Sequence, residues 1–134
     1  MRLTIFIVLL ALSGCVSRPA IDELPISEVC ERYQSNQELK NSHAVIKLLS
    51  SRSYDPRWAE ELERRKFFTD EEMTLIQEQK IKIGIRSELL RCIFGYPNAI
   101  NRTVSQSGTS EQWVFRSAGW YVYTENGLVT SWQN

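Results

Sequence analysis

Several kinds of chemistry are scarce in this sequence, and each shortage removes a class of function. Net charge is missing, because 16 Lys and Arg balance 16 Asp and Glu. Without a basic surplus there is no electrostatic footprint for nucleic acid, so no nucleic-acid partner is expected. Histidine is almost missing. The single one, His43, sits beside apolar residues of a helical stretch and reads as an ordinary surface or core histidine. The paired histidines of a zinc protease, the phosphate-binding loop and the dinucleotide fingerprint do not occur. Ser107-Gly108-Thr109-Ser110 lacks the flanks of a nucleophile elbow. No enzyme, catalytic residue, metal site or cofactor is therefore expected. Internal repeats and low-complexity tracts are lacking too, and 134 residues suffice for one small folded domain.

A long hydrophobic run is also lacking. The apolar stretch Leu3 to Leu12, behind the single cation Arg2, is too short to span a bilayer as a mature helix. It has the length of a signal-peptide h-region. It ends in Leu12-Ser13-Gly14-Cys15, which resembles the bacterial lipobox. That resemblance implies removal of residues 1–14, lipidation of Cys15 and membrane anchoring by several acyl chains, where one chain alone gives only marginal binding. Val16 stands where an aspartate would resemble an inner-membrane retention signal, so the expected location is the periplasmic face of the outer membrane. Residues 15–25, with Pro19 and Pro25, read as a lipidated tether.

Cysteine is sparse, with three in the chain. Once Cys15 is acylated, Cys30 and Cys92 remain, an even number in an oxidising compartment. Either they form a disulfide or they are two unrelated buried thiols, since free cysteine behaves as a small hydrophobe.

Residues 26–80 carry helical patterns. Ser27 can cap a helix after Pro25, with Val29 and Tyr33 as a weak stripe that the polar run Gln34 to Asn41 is expected to break. Ala44, Val45, Leu48 and Leu49 predict a second helix over 42–51. Tyr54-Asp55-Pro56 starts another, which carries Trp58 and Leu62. Its cations Arg64-Arg65-Lys66 read as a solvated helix end ahead of a contact with anionic headgroups. Thr69 or Asp70 caps a further helix, and the helix N-terminus accounts for Asp70-Glu71-Glu72 better than paired catalytic acids do.

Residues 81–134 are organised around Ile83 to Pro97. Gly84 and Gly95 bracket a short helix with Leu89, Leu90, Ile93 and Phe94 on one face. Gly95 stands where a positive-φ residue ends the helix, and Pro97 prevents continuation. Eight of the fourteen aromatic residues lie from Phe94 onward, among strand signals. Asn126-Gly127 predicts a two-residue hairpin pairing Tyr121 with Trp132, Tyr123 with Thr130 and Glu125 with Leu128. A three-residue turn, Ser117 to Gly119, then places Phe115 opposite Tyr121 and Trp113 opposite Tyr123. A strand over 99–104 joins one over 111–116 across a polar loop, Ser105 to Ser110, expected to be mobile. In this register Ile100, Val104, Trp113, Phe115, Tyr121, Tyr123 and Trp132 form an aromatic core face. Trp120, Val122, Thr124, Val129, Ser131 and Gln133 form the more polar opposite face. The expected class is α+β: short N-terminal helices, then a helix packed on a three- to four-stranded antiparallel meander.

Ile83-Gly84, Gly95-Tyr96-Pro97, Glu111-Gln112-Trp113-Val114-Phe115, Tyr121-Val122-Tyr123 and Asn126-Gly127 together resemble the SmpA/OmlA (BamE-like) domain of small outer-membrane lipoproteins. The resemblance covers about residues 81–133. It departs from the family after the first glycine, where Ile85 and Arg86 replace methionine and a hydroxyl residue; this shifts the expected helix cap to Ser87. The resemblance implies helices on an antiparallel sheet, and a lipid-anchored module that binds an outer-membrane or periplasmic protein in envelope assembly or integrity. The alternative is an inhibitor or binding module for a secreted enzyme or a cell-wall polymer.

Overall fold

The structure, a computed structural model, describes residues 20–41 and 54–134. The expected signal peptide, residues 15–19 of the tether with Cys15 among them, His43 and the helix expected over 42–51 lie outside the described residues. A 3-10 turn, Ile21–Glu23, precedes α1 (Ile26–Asn41), α2 (Arg57–Arg65), α3 (Asp70–Gln77) and α4 (Leu89–Phe94). Four strands follow: β1 (Ala99–Ser105), β2 (Gly108–Phe115), β3 (Trp120–Glu125) and β4 (Leu128–Gln133), paired antiparallel in chain order. The chain is thus an α+β fold of helices packed against a four-stranded meander, the class its pattern predicts.

The helix ends follow local chemistry. In α3 the Thr69 hydroxyl accepts the Glu72 N–H at 3.2 Å while the Glu72 carboxylate accepts the Thr69 N–H at 2.9 Å, a reciprocal capping box. α2 follows Pro56 and ends on Lys66 at φ 49°. α4 has Leu89, Leu90, Cys92 and Ile93 buried and ends at Gly95, φ 79° and ψ −146°. That conformation is open almost only to glycine. A Cβ there would also sit 3.3 Å from the Gln34 Cγ. The expected Ser87 cap does not form; Glu88 occupies the cap position without a side-chain bond. Ser87 instead donates its N–H to Gly127 O at 2.8 Å.

α1 is longer than its apolar stripe predicts. It runs unbroken to Asn41, because no Gly or Pro interrupts Gln34 to Asn41. Buried polar side chains in that run are satisfied by neighbours. Asn36 donates to Asp55 O at 2.7 Å and accepts from Asp55 N at 2.8 Å, and Gln34 accepts from Gln79 at 3.1 Å.

The sheet departs from expectation in three places. The β2–β3 connection has four residues, Arg116 to Gly119, so Phe115 pairs with Trp120 and Trp113 with Val122. Moving the register by one residue exchanges the faces of the following strand. Val122, Thr124 and Val129 are therefore in the core, while Tyr121 is 41% exposed. The β1–β2 connection is only Gln106-Ser107; the supposed loop residues Ser105 and Gly108 to Ser110 are strand, with Thr103 opposite Ser110. At Asn126-Gly127 the predicted pair Glu125–Leu128 forms, but a bulge follows. Tyr123 faces Ser131 rather than Thr130, and Trp132 faces Val122 rather than Tyr121.

One core unites both halves. Val29 and Tyr33 of α1, Leu62 of α2, Ile76 of α3, Leu89, Leu90 and Ile93 of α4, and Trp113, Phe115, Val122 and Val129 of the sheet form a single buried cluster. Gly84 to Ser87 runs beside the start of β4: Gly84 donates to Val129 O at 2.8 Å and Val129 donates to Ile85 O at 2.9 Å.

Candidate functional site

A concave surface lies where α1 meets the end of α4. Cys30 of α1 and Cys92 of α4 have their Cα atoms 4.1 Å apart and their sulfurs at bonding distance. Beside them the Arg91 guanidinium contacts the Glu31 carboxylate and lies over the Trp113 ring, 5.4 Å from its centroid. These contacts hold α1 against α4 and fix one wall of a groove.

The groove consists of two adjoining hollows, of about 510 and about 400 Å³, that share Gln34, Glu38, Phe94 and Ser117. Its apolar part is an aromatic file: the Phe94 ring lies 5.0 Å from Phe115 and 5.2 Å from Trp120. Tyr96 stands at the rim, 74% exposed, because Gly95 turns the chain out of the helix just before it. Glu38, on the exposed side of α1, makes no ion pair with another described residue. An exposed tyrosine, half-buried aromatics and one unneutralised carboxylate can bind a segment carrying an apolar side chain and a cation.

The residues singled out from the sequence separate into two groups. Cys30 and Cys92 are brought together beside the groove. Gly84, Gly95, Asn126 and Gly127 all have positive φ (84°, 79°, 49° and 80°) and act as backbone turns, and Pro97 is buried. Cys15 lies outside the described residues. Arg64 and Arg65 both bind Glu61, at 2.7 and 2.6 Å, and Arg65 also donates to Leu24 O and Ile21 O at 2.6 and 2.7 Å. Hydrogen bonds from Arg64, then Arg65, hold the Glu61 carboxyl down to about 2. This pair is a structural clamp on the segment before α1. Glu72 is likewise held below its usual range, chiefly by Arg86, whose guanidinium binds it at 2.7 Å and covers the Phe67 and Phe68 rings. The acidic start of α3 therefore serves capping and cross-linking.

Tyr96, Glu38 and Trp120 were not legible as site residues. The available signal was Tyr96 itself, an aromatic stranded between a helix-ending glycine and a proline. Among the described residues no cluster of His, Cys, Asp or Glu is placed to hold a metal ion, and no helix is long and apolar enough to cross a membrane. No family model, curated protein or solved structure matches this chain.

Proposed function

We propose that this chain is a lipid-anchored protein-binding module on the periplasmic face of the outer membrane, non-enzymatic and of the SmpA/OmlA (BamE-like) kind. It would support outer-membrane assembly or envelope integrity by holding an outer-membrane or periplasmic protein. The anchor reading rests on the apolar run that ends at Leu12-Ser13-Gly14-Cys15. The binding reading rests on one observation: the groove between α1 and α4, with Tyr96 exposed at its rim and an aromatic file beneath. Interface anchors are typically aromatic side chains near such hollows.

Photo-crosslinking from position 96 in intact envelopes tests the reading. The expected product is a discrete adduct with an outer-membrane or periplasmic protein, absent when the crosslinker is moved to position 104 on the far edge of the sheet. A secreted hydrolase as the adduct would replace the assembly role with an inhibitory one. No adduct above the position-104 control would remove the groove as a binding site.

A further inference from the structure

The sheet has a second face, turned away from the core, that is poor in charged side chains. With Phe115 opposite Trp120, the polar residues alternating outward are Asn101 and Thr103 of β1, Ser110 and Gln112 of β2, Tyr121 and Tyr123 of β3, and Ser131 and Gln133 of β4, and the apolar Val114, buried beside Tyr121, and Leu128 share this face. Asn101, Thr103, Ser110, Tyr121, Ser131 and Gln133 are exposed. In a chain with 24% charged residues, the outward positions of all four strands carry a single ionisable carboxylate, Glu125, at one end.

Three hydrogen bonds run across this face from strand to strand. Asn101 Nδ2 donates to Gln112 Oε1 at 2.9 Å, Gln112 Nε2 donates to the Tyr123 hydroxyl at 3.1 Å, and that hydroxyl donates to Gln133 Oε1 at 3.5 Å. The row crosses three strand intervals, roughly 14 Å at the usual spacing. A side-chain amide has two N–H donors and a carbonyl with two lone pairs. The row engages one donor and the carbonyl of Gln112, one donor of Asn101 and the carbonyl of Gln133, so it orients the amides while leaving further donors and acceptors free. Tyr121 and Tyr123 add ring surface.

We infer that this outer face is a binding platform for a neutral, hydroxyl-rich oligosaccharide. The absence of cations disfavours an anionic polymer, and the lone Glu125 at the margin disfavours a cationic one. A protein hot spot requires aromatic or arginine anchors in a desolvated pocket, whereas this face is open and dominated by amides and hydroxyls. A sugar hydroxyl both donates and accepts, which matches oriented amides, and the C–H face of a sugar ring packs on tyrosine. The face is separate from the groove at Tyr96, so this inference does not depend on the protein-binding reading.

The test is an NMR titration of the full chain with cellotetraose and with chitotetraose, following the side-chain amides of Asn101, Gln112 and Gln133. The expected result is saturable shifts of those amides with at least one of the two sugars. Affinity should fall about ten-fold in Gln112→Ala and in Tyr123→Phe and stay unchanged in Tyr96→Ala. Tyr123→Phe retains the ring and removes only the hydroxyl, and an unchanged backbone spectrum verifies its fold. Absence of shifts with both sugars at millimolar concentration identifies a merely solvated face and overturns the inference. So does tighter binding of heparin than of either neutral sugar, or a shift pattern centred on Tyr96.

Discussion

Glu31 and Arg91 form an ion pair directly beside Cys30 and Cys92, so α1 and α4 meet through an ionic and a covalent contact on adjacent residues. Val29 of α1 and Leu89 of α4 are fully buried in the shared core. The pairing joins the helical half of the chain to the segment that feeds the sheet.

A bridge at this point closes a separation of 62 residues. Loop-closure entropy then gives roughly 4 kcal/mol of stabilisation. Alkylation of denatured, unreduced protein is expected to label neither Cys30 nor Cys92, and to label both after reductant. Two reactive thiols before reduction would reject the bridge. Cys30→Ser with Cys92→Ser should lower the denaturant midpoint by an amount of that order.

Gly95→Val should destabilise the fold by at least about 1–3 kcal/mol, because φ 79° with ψ −146° excludes a β-branched side chain. The new Cβ would also crowd Gln34, 3.3 Å away at its Cγ. An unaltered midpoint in urea would contradict this account of the helix end.

The face assignment makes a paired prediction. Val122→Asp buries a charge at a position with no exposure and should abolish folding, whereas Tyr121→Asp, at 41% exposure, should leave the cooperative transition nearly intact. Equal sensitivity of the two sites, read by thermal melts, would return the register to the alternative one.

Glu61 makes stability pH-dependent at the acid end. Its carboxyl is held at about 2, against about 4.3 for a free glutamate. A depressed pKa contributes stability that is complete above the unfolded value and is lost as pH falls toward the folded one. The stability gap between wild type and Glu61→Gln should therefore be constant above about pH 5 and close between about 4 and 2. Since Arg65 links Glu61 to Ile21 O and Leu24 O, proton uptake and amide exchange near the start of α1 should change together in that window. A gap that is flat through acid pH would show that the clamp has no energetic role.

Cys15→Ser should lose both incorporation of a fatty-acid analogue and membrane association, as the lipobox resemblance implies. Equal labelling of the mutant would place the anchor elsewhere or dismiss it.

Much of the local structure was readable in the residues. Thr69 with Glu72, Gly95 before Tyr96-Pro97 and Asn126-Gly127 each act within three or four positions, so their effects are written in the chain itself. The order of elements and the α+β class follow from such signals and from the switch between helical and alternating apolar patterns. Register is different. Trp120, Val122 and Thr124 alternate with Tyr121, Tyr123 and Glu125, so either face of β3 can be read as apolar enough for a core. One residue more or less in the turn before Trp120 decides between them. That choice depends on the summed burial of Phe115, Val122 and Val129 against the helices, a quantity no local window contains. The same holds for the groove and for the meeting of Cys30 with Cys92: both depend on how α1, extended to Asn41, lies against α4. The sequence by itself determined the kind and order of the described elements and the ends marked by Thr69, Gly95 and Asn126-Gly127. Only tertiary packing decided which side chains face inward, because burial is a property of several elements at once.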